Sequence, residues 1–374
     1  MTIQLSPTTS PNGSATSAVG MGAPAKDADQ PRNVRARSFE DYAAFVGSLV
    51  GSLALVWLVY ERILAWTGKV GFVACWYVVF LAMLAAVTAL SWPLPAVVDR
   101  VASAVFLGGA VIVGAALVAT VFYTFYEGWP ALHHWNFYTH DMAGVRPTSK
   151  LDQGGVSHAI AGSAIQVGIA VLVSLPLGIT TAIYMTEVGG RLSRTVRTVI
   201  EAMTALPDIL AGLFIYVFLV VDLHMQKDGF AVALALMVTM VPVIARSAEV
   251  TLRVVPGGLR EAGLALGASQ WQVVRRVVLP TAKSGLATAL ILGIARCAGE
   301  TAPLLIVSGA STFFNSNPFD SSMNSLPLFI ASGVKSGEPL FITRGFGAAS
   351  LLLLLVLVLF AITRFLARDK VRGR

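Results

Sequence analysis

Charged residues are scarce in this sequence. Asp, Glu, Lys and Arg make up 13% of the 374 residues, about half the share that is typical of a soluble domain. Hydrophobic residues make up 56%, and the mean hydropathy is +0.74. The apolar stretches run for about 20 residues without strict alternation, which favours helical spans over a β-barrel. The composition therefore predicts an all-α, polytopic membrane protein.

Cysteine and histidine are scarce as well. The two cysteines, Cys75 and Cys297, both lie in apolar runs, and the five histidines lack the spacing of metal ligands. A disulfide framework and a metal site are therefore not expected. The net charge of +7 fits membrane topology, as shown below, so no nucleic-acid partner is predicted.

Enzyme motifs are missing from the sequence. It contains no G-x-x-x-x-G-K-[ST] phosphate loop, no H-E-x-x-H and no G-x-S-x-G. We therefore predict no catalytic residue and no cofactor bound by this chain. If the energy of ATP is coupled to this chain, then ATP and Mg²⁺ are used by a separate subunit.

Eight apolar segments are candidates for membrane spans. They lie at about 43–66, 70–91, 101–126, 158–186, 206–222, 229–250, 282–308 and 345–367. Residues 1–40 are rich in Ser, Thr, Pro, Gly and Ala and are predicted to be disordered. Arg191, Arg194 and Arg197 recur with apolar residues between them, a pattern typical of an amphipathic helix on the membrane surface.

The distribution of Lys and Arg predicts the orientation. If the N-terminus is inside and all eight segments span, 19 of the 27 Lys and Arg residues are cytoplasmic, 7 are outside, and Arg296 is within a span. Positive residues favour cytoplasmic loops, so both termini and residues 261–280 are predicted to be cytoplasmic. The aromatic outer loops, 127–157 and 308–344, either bind a partner or anchor the chain at the membrane interface.

The stretch from Glu261 to Pro280 is polar, although apolar segments flank it. It is predicted to form two short helices, with Gly267 allowing a turn or the close approach of a partner's backbone. Pro280 is predicted to end the second helix and to start the next span. The predicted apolar face consists of Leu264, Leu266, Trp271, Val274 and Val277. Such a loop is expected to dock on another protein.

The spacing within this stretch resembles the EAA loop of ABC importer permeases. Glu261-Ala262-Gly263 is followed after three residues by Gly267, after nine more by Val277, and then by Leu279-Pro280. Gly263 stands in place of Ala and Val277 in place of Ile. The resemblance implies that an ATPase subunit is coupled through Glu261, Ala262, Gly263, Gly267, Leu279 and Pro280.

Further stretches resemble phosphate importer permeases of the PstA type. Residues 295–305, ARCAGETAPLL, are similar to that family's R-A-x-GETAPLL stretch. Residues 154–163 resemble the start of its permease core. Residues 206–214, LPDILAGLF, resemble its V-P-S-I-V-x-G-L-F stretch, in which Asp208 replaces Ser. These matches cover roughly residues 154–350.

The resemblance implies a type I ABC importer permease with about six core helices and an extra N-terminal helix pair. The expected divisions are a disordered cytoplasmic segment (1–40), an extra transmembrane hairpin (41–100), a first core span with an external loop (101–157), the permease domain (158–367) and a basic cytoplasmic tail (368–374). The implied partners are a sister permease in a heterodimer, an ATPase dimer, an extracytoplasmic phosphate-binding protein and membrane lipid.

The implied function is the translocation subunit of an ATP-driven inorganic phosphate importer in the bacterial inner membrane. It would work by alternating access. Two alternatives stay open: a permease for another oxyanion such as phosphonate or molybdate, and a gated channel or membrane scaffold that needs no ATPase.

Charged residues within the spans form a second candidate site. Arg296 and Glu300 are four residues apart and are predicted to pair on one helix face. An arginine at a helix centre costs about 2.5–3.5 kcal/mol on insertion scales. These charges therefore either line a path for phosphate or fix helix packing by ion pairing. The candidates for the path are Arg296, Glu300, Thr301, Arg246 and Glu249. Pro176, Pro242 and Pro303 interrupt predicted spans and would allow a kink that a gate could use.

Overall fold

The computed structural model describes residues 39–64 and 67–368, and the regular elements within these ranges are all helical, as predicted. The α-helices are α1 Phe39–Val56, α2 Lys69–Ala89, α3 Leu94–Leu132, α4 Asn136–Thr139, α5 Ser157–Ile183, α6 Arg191–Ala205, α7 Asp208–Ile215, α8 Gly229–Arg253, α9 Gly257–Ala265, α10 Gln270–Val273, α11 Leu279–Ala298, α12 Ala302–Val307, α13 Leu326–Lys335 and α14 Pro339–Arg368. π-Helical turns follow α1, α5, α7 and α10, at Trp57–Ile63, Tyr184–Val188, Tyr216–Asp222 and Val274–Val278. The expected disordered segment 1–40 and basic tail 368–374 lie almost wholly outside the described residues.

In the described part of the chain, seven helices are long and apolar enough to cross a membrane. They are Tyr42–Ile63, Lys69–Ala89, Leu94–Leu132, Ser157–Val188, Gly229–Arg253, Gln270–Ala298 and Pro339–Ile362. An eighth candidate is the pair Arg191–Ala205 and Asp208–Asp222, bent by 100°. The predicted 206–222 segment is therefore the second limb of a bent pair. The bend follows from Leu206, which is extended (ψ 133°), because a following proline disfavours helical backbone.

The predicted span at 282–308 is wrong at its C-terminal end. The helix ends at Ala298, and a separate short helix, α12, begins at Ala302. Pro303 lies in the first turn of α12, where a missing N–H costs nothing. Glu300 therefore lies in the break rather than on a helix face. Pro176 and Pro242, by contrast, lie inside the unbroken helices α5 and α8.

The prediction that Pro280 ends one helix and starts another is also wrong. The helix runs without interruption from Gln270 to Ala298, and Pro280 is near the start of its α11 portion. The π-helical turn at Val274–Val278 directly precedes the proline. A wider turn there relieves the clash between a proline ring and the carbonyl four residues earlier.

The described residues up to Ile112 and those from Val113 onward form two compact units. In the first unit, Gly51 of α1 allows close approach of Met83 from α2, and the Phe45 and Phe80 rings pack edge to face.

The second unit is built around α8, which is the most deeply buried of the candidate spans. Gly178 of α5 and Gly293 of α11 both lie against Ile244 of α8. The missing side chains at these two glycines let α5 and α11 pack closely against α8 at Ile244.

Candidate translocation and coupling sites

A polar cluster lies near the middle of α8. Thr239 is the eleventh of the 25 residues of this helix, about 15 Å from its first residue at 1.5 Å per residue. Its hydroxyl donates a hydrogen bond to Oε2 of the buried Glu300 (3.0 Å). Glu300 therefore lies near the mid-depth of the span.

Arg296 contacts two carboxylates in this cluster. Its Nη2 donates to Oδ2 of Asp208 at 3.1 Å and lies 3.4 Å from Oδ1. Its Nε lies 3.4 Å from Oε1 of Glu300, so the predicted Arg296–Glu300 pair is present. Glu300 Oε1 accepts no hydrogen bond from the described residues, and this contact is an ion pair only. We call Arg296, Asp208, Glu300 and Thr239 the midspan cluster.

The midspan cluster is open on one side. The side chains of Arg296 and Asp208 are 51% and 36% exposed in the isolated chain, whereas that of Glu300 is 7% exposed. Charged side chains at mid-depth face a protein interior or a water-filled cavity rather than lipid. The open side of the midspan cluster therefore faces an aqueous path or another subunit.

Sequence reasoning placed Arg296 and Glu300 correctly next to each other but missed two members. Asp208 stood out only as a departure from the motif that residues 206–214 resemble, and Thr239 carried no signal. Thr301, a predicted path residue, is half-buried at the start of α12. Its hydroxyl has no hydrogen-bond partner among the residues that the structure covers.

A second charged cluster surrounds Glu249 near the C-terminal end of α8. This carboxylate is 2% exposed and contacts three arginines, at 2.8 Å from Arg197, 3.3 Å from Arg246 and 2.7 Å from Arg253. Arg246 also contacts Glu201 of α6 at 3.3 Å. The predicted residues Arg246 and Glu249 are therefore paired, and the arrangement ties α6 to α8. The contributions of Arg253 and Glu201 were not predicted, and Arg197 was predicted only as a cation of the amphipathic helix. In the described ranges, no three His, Cys, Asp or Glu side chains converge to hold a metal ion.

The stretch 257–279 forms a helical hairpin, which we call the coupling element. Gly267, at φ +81°, makes the turn between α9 and α10, a left-handed conformation that glycine adopts without strain. Ser269 and Gln272 form a capping box at the start of α10. No atom lies within 4 Å of the position that a Gly267 Cβ would occupy. The turn, rather than close packing within the chain, therefore explains this glycine.

The exposed apolar face of the coupling element is smaller than predicted. Leu264, Leu266 and Trp271 are exposed, by 50%, 89% and 62%. Val274 is instead buried and Val277 half-buried, because the helix that carries them continues into the core as α11. Of the five residues predicted for the apolar face, only these three are therefore exposed.

Of the other predicted coupling residues, some are exposed and some pack against the rest of the chain. Glu261 and Ala262 are exposed, and Pro280 is exposed at the start of α11. Gly263 faces Val273 closely, since an added Cβ would lie 2.9 Å from Val273 Cγ2. Leu279 packs against the core at the base of the element.

An arginine–glutamate pair joins α9 to the π-helical turn that follows α5. Arg260 donates from Nε and Nη2 to the Glu187 carboxylate at 2.9–3.2 Å. It also donates to the carbonyl oxygens of Leu252 and Val255 at 2.9 and 2.7 Å. The Gln270 side chain donates to the Glu187 carbonyl oxygen. These contacts line a cleft of about 550 Å³ bounded by Met185, Thr186, Glu187, Arg253, Arg260, Leu264, Gln270 and Val273.

Comparison with known proteins gives consistent matches. The family model described as "Binding-protein-dependent transport system inner membrane component" matches residues 174–372. The phosphate transport system permease protein PstA 1 of Mycobacterium tuberculosis (strain H37Rv) is 37% identical over 278 residues, covering 73% of this chain and 90% of that protein. PstA of Mycobacterium leprae (strain TN) is 38% identical over 279 residues, covering 74% and 91%.

Solved structures of ABC transporters are also similar. A chain of the inward-facing MetNI methionine ABC transporter is 23% identical, with 57% of this chain and 94% of that chain covered and a TM-score of 0.45. A chain of a bacterial alginate ABC transporter is 16% identical, with coverages of 70% and 97% and a TM-score of 0.47.

Proposed function

Because the chain belongs to the family of binding-protein-dependent transport system inner membrane components, and within it to the PstA phosphate permeases, we propose that it is the permease subunit of an ATP-driven importer of inorganic phosphate. The observation that carries this proposal is Arg296, a half-exposed arginine near the mid-depth of the span. Phosphate is a mono- or dianion at neutral pH, and a guanidinium can bind it with two parallel hydrogen bonds. Arg296 is therefore the residue that we propose binds phosphate in transit.

The Glu249 cluster supplies a second cationic position on the proposed path. Arg246 is exposed, and with Arg197 and Arg253 it places three positive charges around one buried carboxylate. In the proposed orientation, with both termini cytoplasmic, this cluster lies toward the cytoplasm. Excess positive charge there would draw phosphate inward from Arg296.

The coupling element provides the connection to ATP hydrolysis. Its outward residues Leu264, Leu266 and Trp271 form the surface on which we propose an ATPase subunit docks. Trp271 and Arg296 lie on one continuous helix, Gln270–Ala298, about 38 Å apart along its axis. Movement of the docked ATPase would therefore be transmitted directly to the anion site, while the Arg260–Glu187 pair transmits it to α5.

The proposed assembly contains three kinds of protein partner. ATPase subunits and a substrate-binding protein are general partners of this family. We propose in addition that the ATPase is a dimer, that the binding protein is extracytoplasmic and binds phosphate, and that a sister permease covers the open side of the midspan cluster. Chemistry on ATP and Mg²⁺ would then belong to the ATPase subunits, and this chain would be a non-catalytic translocation subunit in the inner membrane.

Uptake of radiolabelled phosphate in a strain lacking this chain, with and without a plasmid copy, tests the proposal, together with affinity purification of the tagged chain. Restored phosphate uptake and co-purification of an ATPase subunit are expected. Restored uptake of phosphonate or molybdate in place of phosphate would assign another oxyanion. Absence of any ATPase from the purified material would instead favour a channel or a scaffold, and either result would overturn the proposal.

A further inference from the structure

We propose that Asp208 is an internal counter-ion that occupies one bidentate edge of Arg296 in this conformation, so that phosphate binds tightly at this edge only after Asp208 moves away. The proposal rests on the proposed function of the chain as a phosphate permease. It adds a residue that controls when, and how tightly, the proposed anion site can be filled.

The geometry of Arg296 carries the proposal. A guanidinium binds an oxyanion in a bidentate manner through two neighbouring N–H groups, such as those on Nε and Nη2. Nε of Arg296 faces Glu300 at 3.4 Å, and Nη2 faces Asp208 at 3.1 Å. Both positions of this edge therefore contact carboxylate oxygens, and the two carboxylates outnumber the single positive charge. A phosphate approaching this edge would be repelled as long as both carboxylates remain.

The two carboxylates are not equivalent. Glu300 is buried, accepts a hydrogen bond from Thr239 of α8 and lies two residues beyond the end of α11, the helix that carries Arg296. Asp208 is 36% exposed and lies at the start of α7, on a different element. Among the residues that the structure describes, its carboxylate has no polar partner other than Arg296. Asp208 is therefore the carboxylate that can be displaced without breaking another polar contact of its side chain in the described part of the chain.

The position of Asp208 next to a sharp bend gives it a route of movement. The chain turns by 100° between α6 and α7, immediately before this residue. α6 is tied to α8 through the Arg197–Glu249 contact, and α7 packs on α12 where Gly212 meets Pro303. A change of angle at Leu206-Pro207 would thus shift Asp208 relative to Arg296.

Binding of inorganic phosphate to the complete purified complex, without nucleotide and without the binding protein, tests the proposal. Asp208→Asn keeps the size of the side chain and removes its charge, and Asp208→Ser introduces the residue of the motif that 206–214 resemble. Both variants are expected to bind phosphate about tenfold more tightly than the wild type, since close charge pairs couple by at least this much. Asp208→Glu is expected to behave like the wild type. Asp222→Asn, at the far end of the same limb, is the matched control.

Transport kinetics provide the second readout. In Asp208→Asn, the KM for phosphate of the permease step should fall and kcat should fall with it, because phosphate is released more slowly. A second substitution, Arg296→Gln, should abolish the gain in phosphate binding and thereby exclude binding to the ATPase subunits as its source.

The possible outcomes separate this proposal from the proposed function. If the wild-type complex transports phosphate but Asp208→Asn only lowers its thermal stability or assembly, with phosphate affinity unchanged, Asp208 is a packing residue and the counter-ion proposal is wrong. If the wild-type complex does not transport phosphate at all, the proposed function itself fails.

Discussion

At the scale of single residues, Arg296 has the surroundings of a side chain that exchanges partners. A buried arginine that joins two helices is expected to have its donors satisfied. Arg296 is instead half-exposed, and its contact with Glu300 is an ion pair without a hydrogen bond. We therefore expect the role of Arg296 in transport to be separable from its role in assembly.

Replacement of Arg296 by Gln tests this separation. Uptake should fall at least about tenfold, because hydrogen bonds to a charged group contribute about 1.5–3 kcal/mol, while the amount of assembled complex stays unchanged. Arg146→Gln, which alters an exposed arginine outside the cluster, should leave uptake unaffected. Normal uptake by an assembled Arg296→Gln complex would show that Arg296 is structural.

Gly267 gives a second prediction at this scale. Its φ of +81° costs a β-branched residue about 1–2 kcal/mol, whereas asparagine tolerates this region. Gly267→Val should therefore distort the turn and reduce co-purification of the ATPase subunit, while Gly267→Asn should retain it. Equal co-purification by the two variants would mean that the left-handed turn is not required for docking.

At the scale of elements, the coupling element has an exposed apolar surface at its turn and a buried surface that packs against the core. Leu266 is 89% exposed, while Val273, Val274 and Val278 are buried in the core. An apolar side chain so exposed at a turn contributes little to the stability of the isolated chain. Its expected role is in contact with a partner.

Leu266→Glu tests whether the exposed turn of the coupling element binds the ATPase subunit. The chain should insert and remain as stable as the wild type, but co-purification of the ATPase subunit and uptake should both fall by an order of magnitude or more, as expected for a buried interface residue. Val254→Glu changes another exposed apolar residue just before α9 and should leave both unaltered. Full ATPase binding by Leu266→Glu would place the docking surface elsewhere.

The length of the apolar runs was sufficient to predict most of the membrane-spanning helices, but it did not predict where two of them bend or break. The five prolines discussed lie in or next to apolar runs, yet Pro176, Pro242 and Pro280 lie inside continuous helices, while Pro207 and Pro303 lie at helix starts. The difference depends on tertiary packing, since neighbouring groups can satisfy a carbonyl freed by proline.

The midspan cluster could likewise be predicted only in part, because some of its contacts depend on tertiary packing. The Arg296–Glu300 spacing is local and visible in sequence, whereas the contacts with Asp208 and Thr239 join residues that are 88 and 61 positions apart.

At the scale of the whole molecule, the orientation in the membrane determines which cluster faces which compartment. The excess of Lys and Arg predicts that the coupling element is cytoplasmic and that residues 127–157 are outside. In the variant Leu266→Cys, the new thiol should react with a membrane-impermeant maleimide only after the cells are opened. In the variant Arg146→Cys, the new thiol should react in intact cells. The reverse pattern would contradict both the orientation and the docking proposal.

We propose above all that ATP hydrolysis in the partner ATPase subunits drives inorganic phosphate past Arg296. Its most direct test is phosphate accumulation by proteoliposomes that contain this chain, its sister permease and the ATPase, with the phosphate-loaded binding protein on the outer face and ATP on the face of the coupling element. We predict accumulation against a gradient that requires ATP and is lost in both Arg296→Gln and Leu266→Glu. Phosphate that only equilibrates across the membrane, at the same rate with and without ATP, would contradict the account.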